Sequence, residues 1–434
     1  MIKSYFNFIQ PLKNREEEYT LYNSRTGCLS ILDKEHFNQY ESFPEKGIDD
    51  KEFYNQLVDC GYLVNSVEEE KDSIRYQMYQ ARFSTTTLNL VIAPTMNCNF
   101  ACTYCYEKNQ LNTCQMSEEI QEAIINYIEQ YADSIKNLRI EWYGGEPLLA
   151  TKVIAHLNER ILSICLNNKI KCDEEMITNG YLLSREYIEF LNDNRITKIQ
   201  ITLDGTEATH NSRRVHRSGK GTYREIIENL KECKLYYQGS VILRVNVDKN
   251  NISEIDALVK DLEKEELSNF VNLYLGRVSD TNEDTCNGNC LSCQCFAEQN
   301  ISFITKNASL KSYLETSYPY PIGNSCAADY DLSMIIAPNG DIYKCHMEIG
   351  QKNRAIGNIL ETDKIEISKI KKTMFFDPTR DEICGKCKYM PICMGGCAKE
   401  RIGERRLCDY RKYVLDNYLS DISYIEETQG KEEA

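Results

Sequence analysis

The sequence predicts an α/β protein: a partial (β/α)6, TIM-like barrel with a small winged-helix-like α+β domain before it and a cysteine-rich domain after it. Three observations predict this fold class. Short apolar segments alternate with amphipathic helical patterns between residues 88 and 275, which favours a parallel sheet. Turn-separated β segments and helical patterns fill the first 85 residues. Fourteen of the 20 cysteines fall into three groups, the largest of them near the C-terminus.

The N-terminal domain is expected over residues 1–85. Its predicted strands lie at 19–22 and 29–32, on either side of a turn at 24–27, and its helices at about 35–41 and 50–60. The charged run at 68–71 is predicted to be a linker that closes this domain.

The predicted barrel occupies residues 86–280. Its strands are expected at 88–93, 138–143, 174–179, 198–203, 241–247 and 270–275, and its helices at 116–132, 152–166, 184–193, 222–234 and 252–266. Six units fall short of the eight that close a full barrel, and active sites of such sheets lie at the carboxyl ends of the strands. A bridging segment, 281–325, and a cysteine-rich domain, 326–425, are expected to follow.

Charge and hydropathy narrow the function classes. The net charge of −15 argues against a protein that binds nucleic acid through its phosphate backbone. The N-terminus lacks the apolar core of a signal peptide, and no stretch approaches 18 uninterrupted apolar residues, so we expect a cytoplasmic protein that does not span a membrane. The sequence also lacks a Walker loop, GxGxxG and GxSxG.

Cysteines of a cytoplasmic chain are rarely a disulfide framework, so we interpret most of them as ligands or reactive thiols. Six stand alone, most of them in apolar stretches, and are predicted to be small core side chains: Cys28, Cys60, Cys114, Cys165, Cys172 and Cys233.

The first group has the spacing CxxxCxxC and comprises Cys98, Cys102 and Cys105, in the loop after the first barrel strand. Three thiolates can hold three irons of a [4Fe–4S] cluster and leave the fourth iron open. Cys286, Cys290 and Cys293 repeat the spacing, but that copy follows the last strand, and the first copy also has Tyr104 before its third cysteine. A three-cysteine loop without iron is the alternative.

In this setting the sequence resembles the radical S-adenosylmethionine (SAM) enzymes. The segment Gly144-Gly145-Glu146-Pro147, after the second strand, resembles the GGEP segment that binds the methionine amino group in that family. Segments 178–180 and 200–205 resemble its ribose- and methionine-contacting turns, although ordinary turns are the alternative. The cofactor-binding residues that the resemblance implies are Tyr104, Gly144, Gly145, Glu146, Pro147, Thr178, Asn179, Thr202, Asp204 and Arg214.

His210 and Arg214 occupy positions where relatives carry a histidine and an arginine. The resemblance implies that Arg214 pairs with the methionine carboxylate, a task suited to its bidentate geometry. A surface salt bridge is the alternative for Arg214.

The C-terminal cysteines resemble the SPASM domain of radical enzymes that modify peptides. The resemblance implies two auxiliary iron–sulfur clusters, expected to be [4Fe–4S]. Cluster I would be held by Cys326, Cys345 and Cys397, and cluster II by Cys384, Cys387, Cys393 and Cys408. Eight thiolates are needed and seven are present, so one ligand of cluster I is missing, comes from elsewhere or leaves an open iron. The rival interpretation of the central tetrad is a zinc site.

The remaining group comprises Cys286, Cys290, Cys293 and Cys295. It could supply the missing ligand, handle substrate as accessory thiols, or form a structural or zinc-bound loop.

The resemblance implies an enzyme that reduces S-adenosylmethionine to a 5′-deoxyadenosyl radical and receives electrons from an external flavodoxin- or ferredoxin-like donor. Residues 1–85 loosely resemble the leader-binding element (RiPP recognition element) of maturases of ribosomally made peptides, which would bind a precursor peptide by its leader; a plain N-terminal cap is the alternative. We therefore expect a peptide maturase of the sactipeptide or ranthipeptide type, forming a thioether from a substrate cysteine. The rivals are a sulfatase-maturing or other protein-modifying radical SAM/SPASM enzyme and a non-enzymatic iron–sulfur or zinc carrier. The sequence leaves open the peptide, the bond type and the general base.

Overall fold

The computed structural model describes residues 1–279, 288–307, 314, 316–401 and 407–422. It contains two compact units. One comprises Ser84–Leu291 and Asp331–Lys371, and the other comprises Met1–Phe83, Ser292–Tyr330 and Lys372–Ala434. Residues 331–371 of the predicted cysteine-rich domain therefore group with the barrel, and residues from 372 onward group with the N-terminal segment.

The N-terminal segment contains a three-stranded antiparallel sheet and three helices. Its elements are β1 (Ile2–Lys3), β2 (Asn7–Pro11), β3 (Tyr19–Asn23), β4 (Leu29–Leu32), α1 (Lys34–Ser42), α2 (Lys51–Asp59), β5 (Leu63–Val64) and α3 (Val67–Arg82). The sheet has the order β2-β3-β4, and β1 pairs with β5. Leu21, Tyr40, Phe53 and Leu57 form a shared core between sheet and helices, as expected when amphipathic helices cover one sheet face.

The charged run at 68–71 is not a linker, and that prediction is wrong. It forms the first turn of α3, where the Ser66 hydroxyl accepts a hydrogen bond from the Glu69 N–H (3.2 Å). Acidic residues in a first turn are stabilised by the helix dipole. Glu70 is buried and accepts hydrogen bonds from the Tyr5 N–H (3.1 Å) and the Ser4 hydroxyl. The run is helical because Ser66 caps the helix and the buried carboxylate of Glu70 is hydrogen-bonded.

The isolated cysteines divide into three kinds. Cys165 and Cys233 are buried, which confirms the prediction for them, and Cys172 is half-buried. Cys114 is exposed, and Cys28 and Cys60 form a disulfide with a Cα–Cα distance of 5.5 Å. The prediction is wrong for Cys114. Cys28 and Cys60 pack against the core as predicted, but they are paired and not isolated, because the turn before β4 meets the end of α2.

The barrel contains six parallel strands that alternate with helices, which confirms the predicted α/β class. Its elements are β6 (Thr87–Ile92), α4 (Glu118–Tyr131), β7 (Asn137–Trp142), α5 (Thr151–Asn168), β8 (Lys171–Thr178), α6 (Arg185–Asp193), β9 (Lys198–Thr202), α7 (Glu207–Arg213), α8 (Tyr223–Tyr236), β10 (Ser240–Val247), α9 (Ile255–Lys264) and β11 (Val271–Arg277). The strand order is β11-β10-β9-β8-β7-β6. Val241, Leu243 and Val245 on one face of β10 are fully buried, whereas alternate residues on the other face are half-buried. The second face is therefore the inner face of the partial barrel.

Three further strands extend the sheet beyond β6, and the sequence analysis missed them. They are β12 (Ser333–Ile336), β13 (Asp341–Tyr343) and β14 (Gly357–Asn358). β12 lies parallel to β6, and the other two follow it in antiparallel order. Gly340 turns the chain between β12 and β13 at φ +82, where a Cβ would lie 2.6 Å from Ile120 Cδ1.

Further α-helices among the described residues are α10 (Cys293–Asn307), α11 (Ile367–Met374), α12 (Met390–Cys393) and α13 (Leu415–Asp421). Phe8 and Tyr22 of the N-terminal sheet share a core with Ile392, Leu415 and Leu419. Distant parts of the sequence thus build one hydrophobic interior. In the described ranges, no helix is long and apolar enough to cross a membrane.

Candidate cluster and cofactor site

The candidate cluster loop connects β6 to α4 and carries Cys98, Cys102 and Cys105, all half-buried. Backbone hydrogen bonds join the residues around these cysteines to the end of α7 and the segment that follows it. The Ala101 N–H donates to Val215 O (2.8 Å) and the Thr103 N–H donates to Arg213 O (2.9 Å). The loop is therefore held by backbone hydrogen bonds at the carboxyl end of the sheet, where the sequence predicted it.

The three thiols are kept neutral by their surroundings. Burial raises the pKa of Cys98 to about 12, and the Glu146 carboxylate adds to the effect. Burial likewise raises the pKa of Cys105 to about 12, with a contribution from Glu107. Because nearby carboxylates disfavour a thiolate, ionisation of these thiols requires added positive charge, as from bound iron.

The turn after β7 contacts the cluster loop directly. The Glu146 N–H donates to Asn97 O (2.8 Å). Gly144 has φ +106, and a Cβ on Gly145 would lie 2.3 Å from Asn97 O. Both positions therefore need glycine, which explains the two glycines of the motif. Pro147 is buried and begins a 3-10 turn at Pro147–Ala150.

Glu146 joins the turn after β7 to the turn after β8. Its buried carboxylate accepts hydrogen bonds from the Thr178 hydroxyl (2.7 Å) and the Asn179 N–H (2.8 Å). Burial raises the pKa of Glu146, while these two donors oppose the rise. The Asn179 amide in turn donates to Asn99 Oδ1 (2.7 Å) on the cluster loop. Thr178 and Asn179, predicted separately from Glu146, are thus brought together with it.

A second network gathers around Asp204, after β9. The Tyr104 hydroxyl donates to the Asp204 carboxylate and accepts from Arg214 Nη1 (2.8 Å) and Asn246 Nδ2 (3.2 Å). Asp204 also accepts from the Asn246 N–H (3.1 Å). Thr202 lies buried at the end of β9. The structure therefore unites Tyr104, Asp204 and Arg214.

His210 supports this network in its neutral form. Its Nδ1 accepts from the Asp204 N–H (3.2 Å), so its Nε2 is the atom that donates to the Thr222 hydroxyl (3.1 Å). The Thr222 hydroxyl donates to Arg214 O (2.7 Å). Burial, reinforced by Arg214, lowers the pKa of His210 well below its usual value. His210 thus positions both Asp204 and Arg214.

Arg213, Asn246 and Asp248 also belong to this network, and no sequence motif predicted them. Arg213 forms ion pairs with Asp248 (2.7 Å) and Asp204 (3.4 Å). The available signal was the placement of Asp248 directly after β10, which matches that of Asp204 near the end of β9.

Residues 92–262 match the family model of the Radical SAM superfamily. The chain therefore contains a radical SAM domain and is an enzyme. It is 24% identical to a cysteine-type anaerobic sulfatase-maturating enzyme of Clostridium novyi (strain NT) in an alignment of 376 residues that covers 79% of this chain and 98% of that protein. It is 22% identical to a serine-type anaerobic sulfatase-maturating enzyme of Bacteroides thetaiotaomicron over 347 residues, 70% of this chain and 80% of that protein.

Two solved structures share the fold of this radical SAM enzyme. The structure of anSMEcpe with bound AdoMet and Cp18Cys peptide is 19% identical, with a TM-score of 0.60. The match covers 78% of this chain and 99% of the anSMEcpe chain. The structure of Streptococcus suis SuiB bound to precursor peptide SuiA is 17% identical, with a TM-score of 0.54, and covers 93% of this chain and 97% of its own.

The site residues fit the [4Fe–4S] cluster and S-adenosylmethionine that a radical SAM enzyme uses. Within the described ranges, buried atoms without a hydrogen-bond partner include Arg214 Nε, Asn99 Nδ2 and Glu107 Oε1. Unpaired buried polar groups are costly, so two donors and one acceptor beside three thiols suit a polar, charged ligand. No three His, Cys, Asp or Glu side chains of those ranges are grouped as ligands of one metal ion. A cubane does not require such grouping, because each thiolate binds a different iron.

The C-terminal cysteines predicted as auxiliary ligands fall in both units. Burial raises the pKa of Cys326, and the nearby Asp329 and Cys397 add to the rise. Burial also raises the pKa of Cys393, with contributions from Asp409 and Cys408. Cys345 follows β13 in the barrel unit.

Cys384 and Cys387 pack against Met390 and Met394. Among the further predicted donors, Cys293 and Cys295 lie in the first turn of α10, and Cys286 lies outside the described residues.

Proposed function

We propose that this radical SAM enzyme is a maturase that forms a thioether from a cysteine of a ribosomally made precursor peptide. The N-terminal segment carries the assignment to a peptide substrate. Residues 1–83 are 83 of 434 residues, so a structural match over 93% of the chain must include most of them. The structure that provides this match is SuiB bound to its precursor peptide.

Cys98, Cys102 and Cys105 would hold the radical cluster, and the unpaired donors of Arg214 and Asn99 would face the bound S-adenosylmethionine. When bound, these two groups supply a 5′-deoxyadenosyl radical that removes a hydrogen atom from an unactivated C–H bond. Tyr104 fixes Arg214 and Asp204 relative to the cluster loop through hydrogen bonds to both. The positioned guanidinium is suited to a carboxylate, which supports the predicted role of Arg214.

The predicted auxiliary clusters belong to the same proposal. Two pairs of cysteines within one unit lie near each other. The pair Cys326 and Cys397 supports the assignment to cluster I, and the pair Cys393 and Cys408 supports the assignment to cluster II. Thioether formation removes two hydrogen atoms from the peptide. The radical would take one of them from carbon, and the other would leave as the thiol proton plus one electron when the C–S bond forms. Auxiliary clusters and an external flavodoxin- or ferredoxin-like protein are the proposed electron carriers.

The N-terminal sheet offers two edges to a leader peptide. β2 and β4 each pair with β3 alone among the described strands. An edge strand has unpaired N–H and C=O groups that an extended peptide can complete. We propose that the leader adds a strand to one of these edges.

The test uses anaerobically reconstituted protein, S-adenosylmethionine, a reductant and the peptide encoded beside the gene. Wild type should release 5′-deoxyadenosine and convert the peptide to a product lighter by two hydrogen atoms, whose cysteine no longer reacts with an alkylating reagent. Cys102→Ala should abolish both products. Cys114→Ala is the matched control, because Cys114 is an exposed thiol on the same loop. A cysteine that stays alkylatable in the lighter product would refute the thioether and favour a C–C crosslink.

Sulfatase maturation is the second candidate, because two sulfatase-maturating enzymes match 79% and 70% of the chain. That activity would give a peptide aldehyde that reacts with a hydrazine. The same reaction mixture distinguishes the two candidates, and a chain that cleaves no S-adenosylmethionine would refute both.

A further inference from the structure

Arg244 lies on the inner face of β10 and is held there by two neighbours. Its Nε donates to Asn246 Oδ1 (2.8 Å) and its Nη1 donates to the Tyr274 hydroxyl (3.1 Å). The Tyr274 hydroxyl donates to Gln200 Oε1 (2.6 Å). The guanidinium is therefore fixed by side chains of three adjacent strands, β9, β10 and β11.

This position is close to the cofactor site. Asn246, two residues further along β10, donates to the Tyr104 hydroxyl beside the cluster loop. Two residues of a strand span about 6.6 Å, and the Asn246 side chain bonds both Arg244 Nε and the Tyr104 hydroxyl. Its charge also reaches Tyr143 at the end of β7, where it lowers a pKa that burial raises. Arg244 thus faces the space enclosed by the inner face.

Two other charged side chains of this face, Lys198 and Glu141, have partners at ion-pair distance. Lys198 pairs with Glu175 (2.5 Å), and His346 contacts Glu141 (2.7 Å). Within the described ranges, Arg244 has no carboxylate at ion-pair distance, and its Nη2 makes no hydrogen bond. A fixed, half-buried guanidinium with a spare N–H edge is suited to a carboxylate ligand.

We propose that Arg244 binds a carboxylate of the peptide substrate, from an acidic side chain or from the C-terminus, and so selects acidic peptides. This inference rests on the proposed peptide maturase function. The Nη2 edge would donate to the carboxylate, while the bonds to Asn246 and Tyr274 keep the guanidinium in place.

Calorimetric binding to the full, reconstituted chain tests the proposal, with S-adenosylhomocysteine present so that no turnover occurs. The probes are short, otherwise neutral peptides with a central cysteine and blocked ends, in which one aspartate or asparagine is moved from position to position. A third set carries asparagine and a free C-terminal carboxylate. Wild type should bind at least one aspartate or free-acid peptide about ten-fold more tightly than its neutral match, and the set that shows the preference identifies the source of the carboxylate.

Arg244→Gln should abolish this preference, and Arg244→Lys should keep part of it because the charge remains without the planar fork. Arg139→Gln is the matched control: Arg139 lies on the same face of β7, is exposed, and should not affect the preference. Iron content and melting temperature verify that each variant is folded.

Three results would overturn the Arg244 site: no preference in wild type, a preference that persists in Arg244→Gln, or weaker S-adenosylhomocysteine binding by that variant. None of them changes 5′-deoxyadenosine release or thioether formation by wild type, on which the proposed function depends. A chain that binds none of the peptides would overturn the inference as well.

Discussion

Trp142 and Glu174 form a buried pair that should titrate near neutral pH. Trp142 is the single tryptophan of the chain and is fully buried, and its indole Nε1 donates to Glu174 Oε2 (2.9 Å). Burial raises the pKa of Glu174 to about 7, although the bond from Trp142 opposes the rise. Between pH 4.5, the ordinary pKa of a glutamate, and pH 7, Glu174 keeps its proton in the folded chain and loses it in the unfolded chain. Stability should therefore fall as pH rises through this window.

The full difference from the ordinary value of 4.5 corresponds to roughly 3 kcal/mol. Glu174→Gln keeps an acceptor for the indole and removes the ionisation, so its free energy of unfolding should lose this decline. The assay is denaturant unfolding at pH 5 and pH 8, together with tryptophan emission, which should change with a midpoint near pH 7 in wild type but not in Glu174→Gln. Glu175→Gln, on the other strand face, is the control that should keep both signals. A wild-type emission that stays constant across this range would refute the reasoning.

Two further substitutions test the site and the interior. Gly145→Ala places a Cβ 2.3 Å from Asn97 O; the cluster loop must move, so iron content should fall and stability should drop by about 1–3 kcal/mol. In the control Gly357→Ala, the new Cβ has no neighbour closer than 3.6 Å, so this variant should lose neither iron nor stability. Asp329→Ala leaves the fully buried Arg401 without its ion-pair partner, which should cost about 3–5 kcal/mol in denaturant unfolding. Replacing both residues by leucine and methionine should recover most of that loss, and equal losses in the single and double variants would contradict the pairing.

The sequence predicts the barrel well because each of its strands is an apolar run between amphipathic helices. The edge strands β12 to β14 have only two to four residues, too few for a period to be recognised. The linker prediction at 68–71 failed because charge was considered without the Ser66 cap and without Ser4, a partner 66 residues away. Arg213 and Asp248 were missed for the same reason: their pairing depends on the end of α7 meeting the end of β10, which local sequence does not encode.

The cluster loop is positioned by the ends of neighbouring strands and has no regular structure of its own. Asn97 contacts the turn after β7, Asn99 the turn after β8, and Tyr104 the ends of β9 and β10. This explains why spacing alone cannot separate the two CxxxCxxC copies. The loop with Cys98 leaves β6, which has parallel neighbours on both sides, whereas the second copy follows β11, which pairs with β10 alone among the described strands. The loop with Cys98 therefore has adjacent strand ends on both sides to hold it, which an edge strand cannot offer.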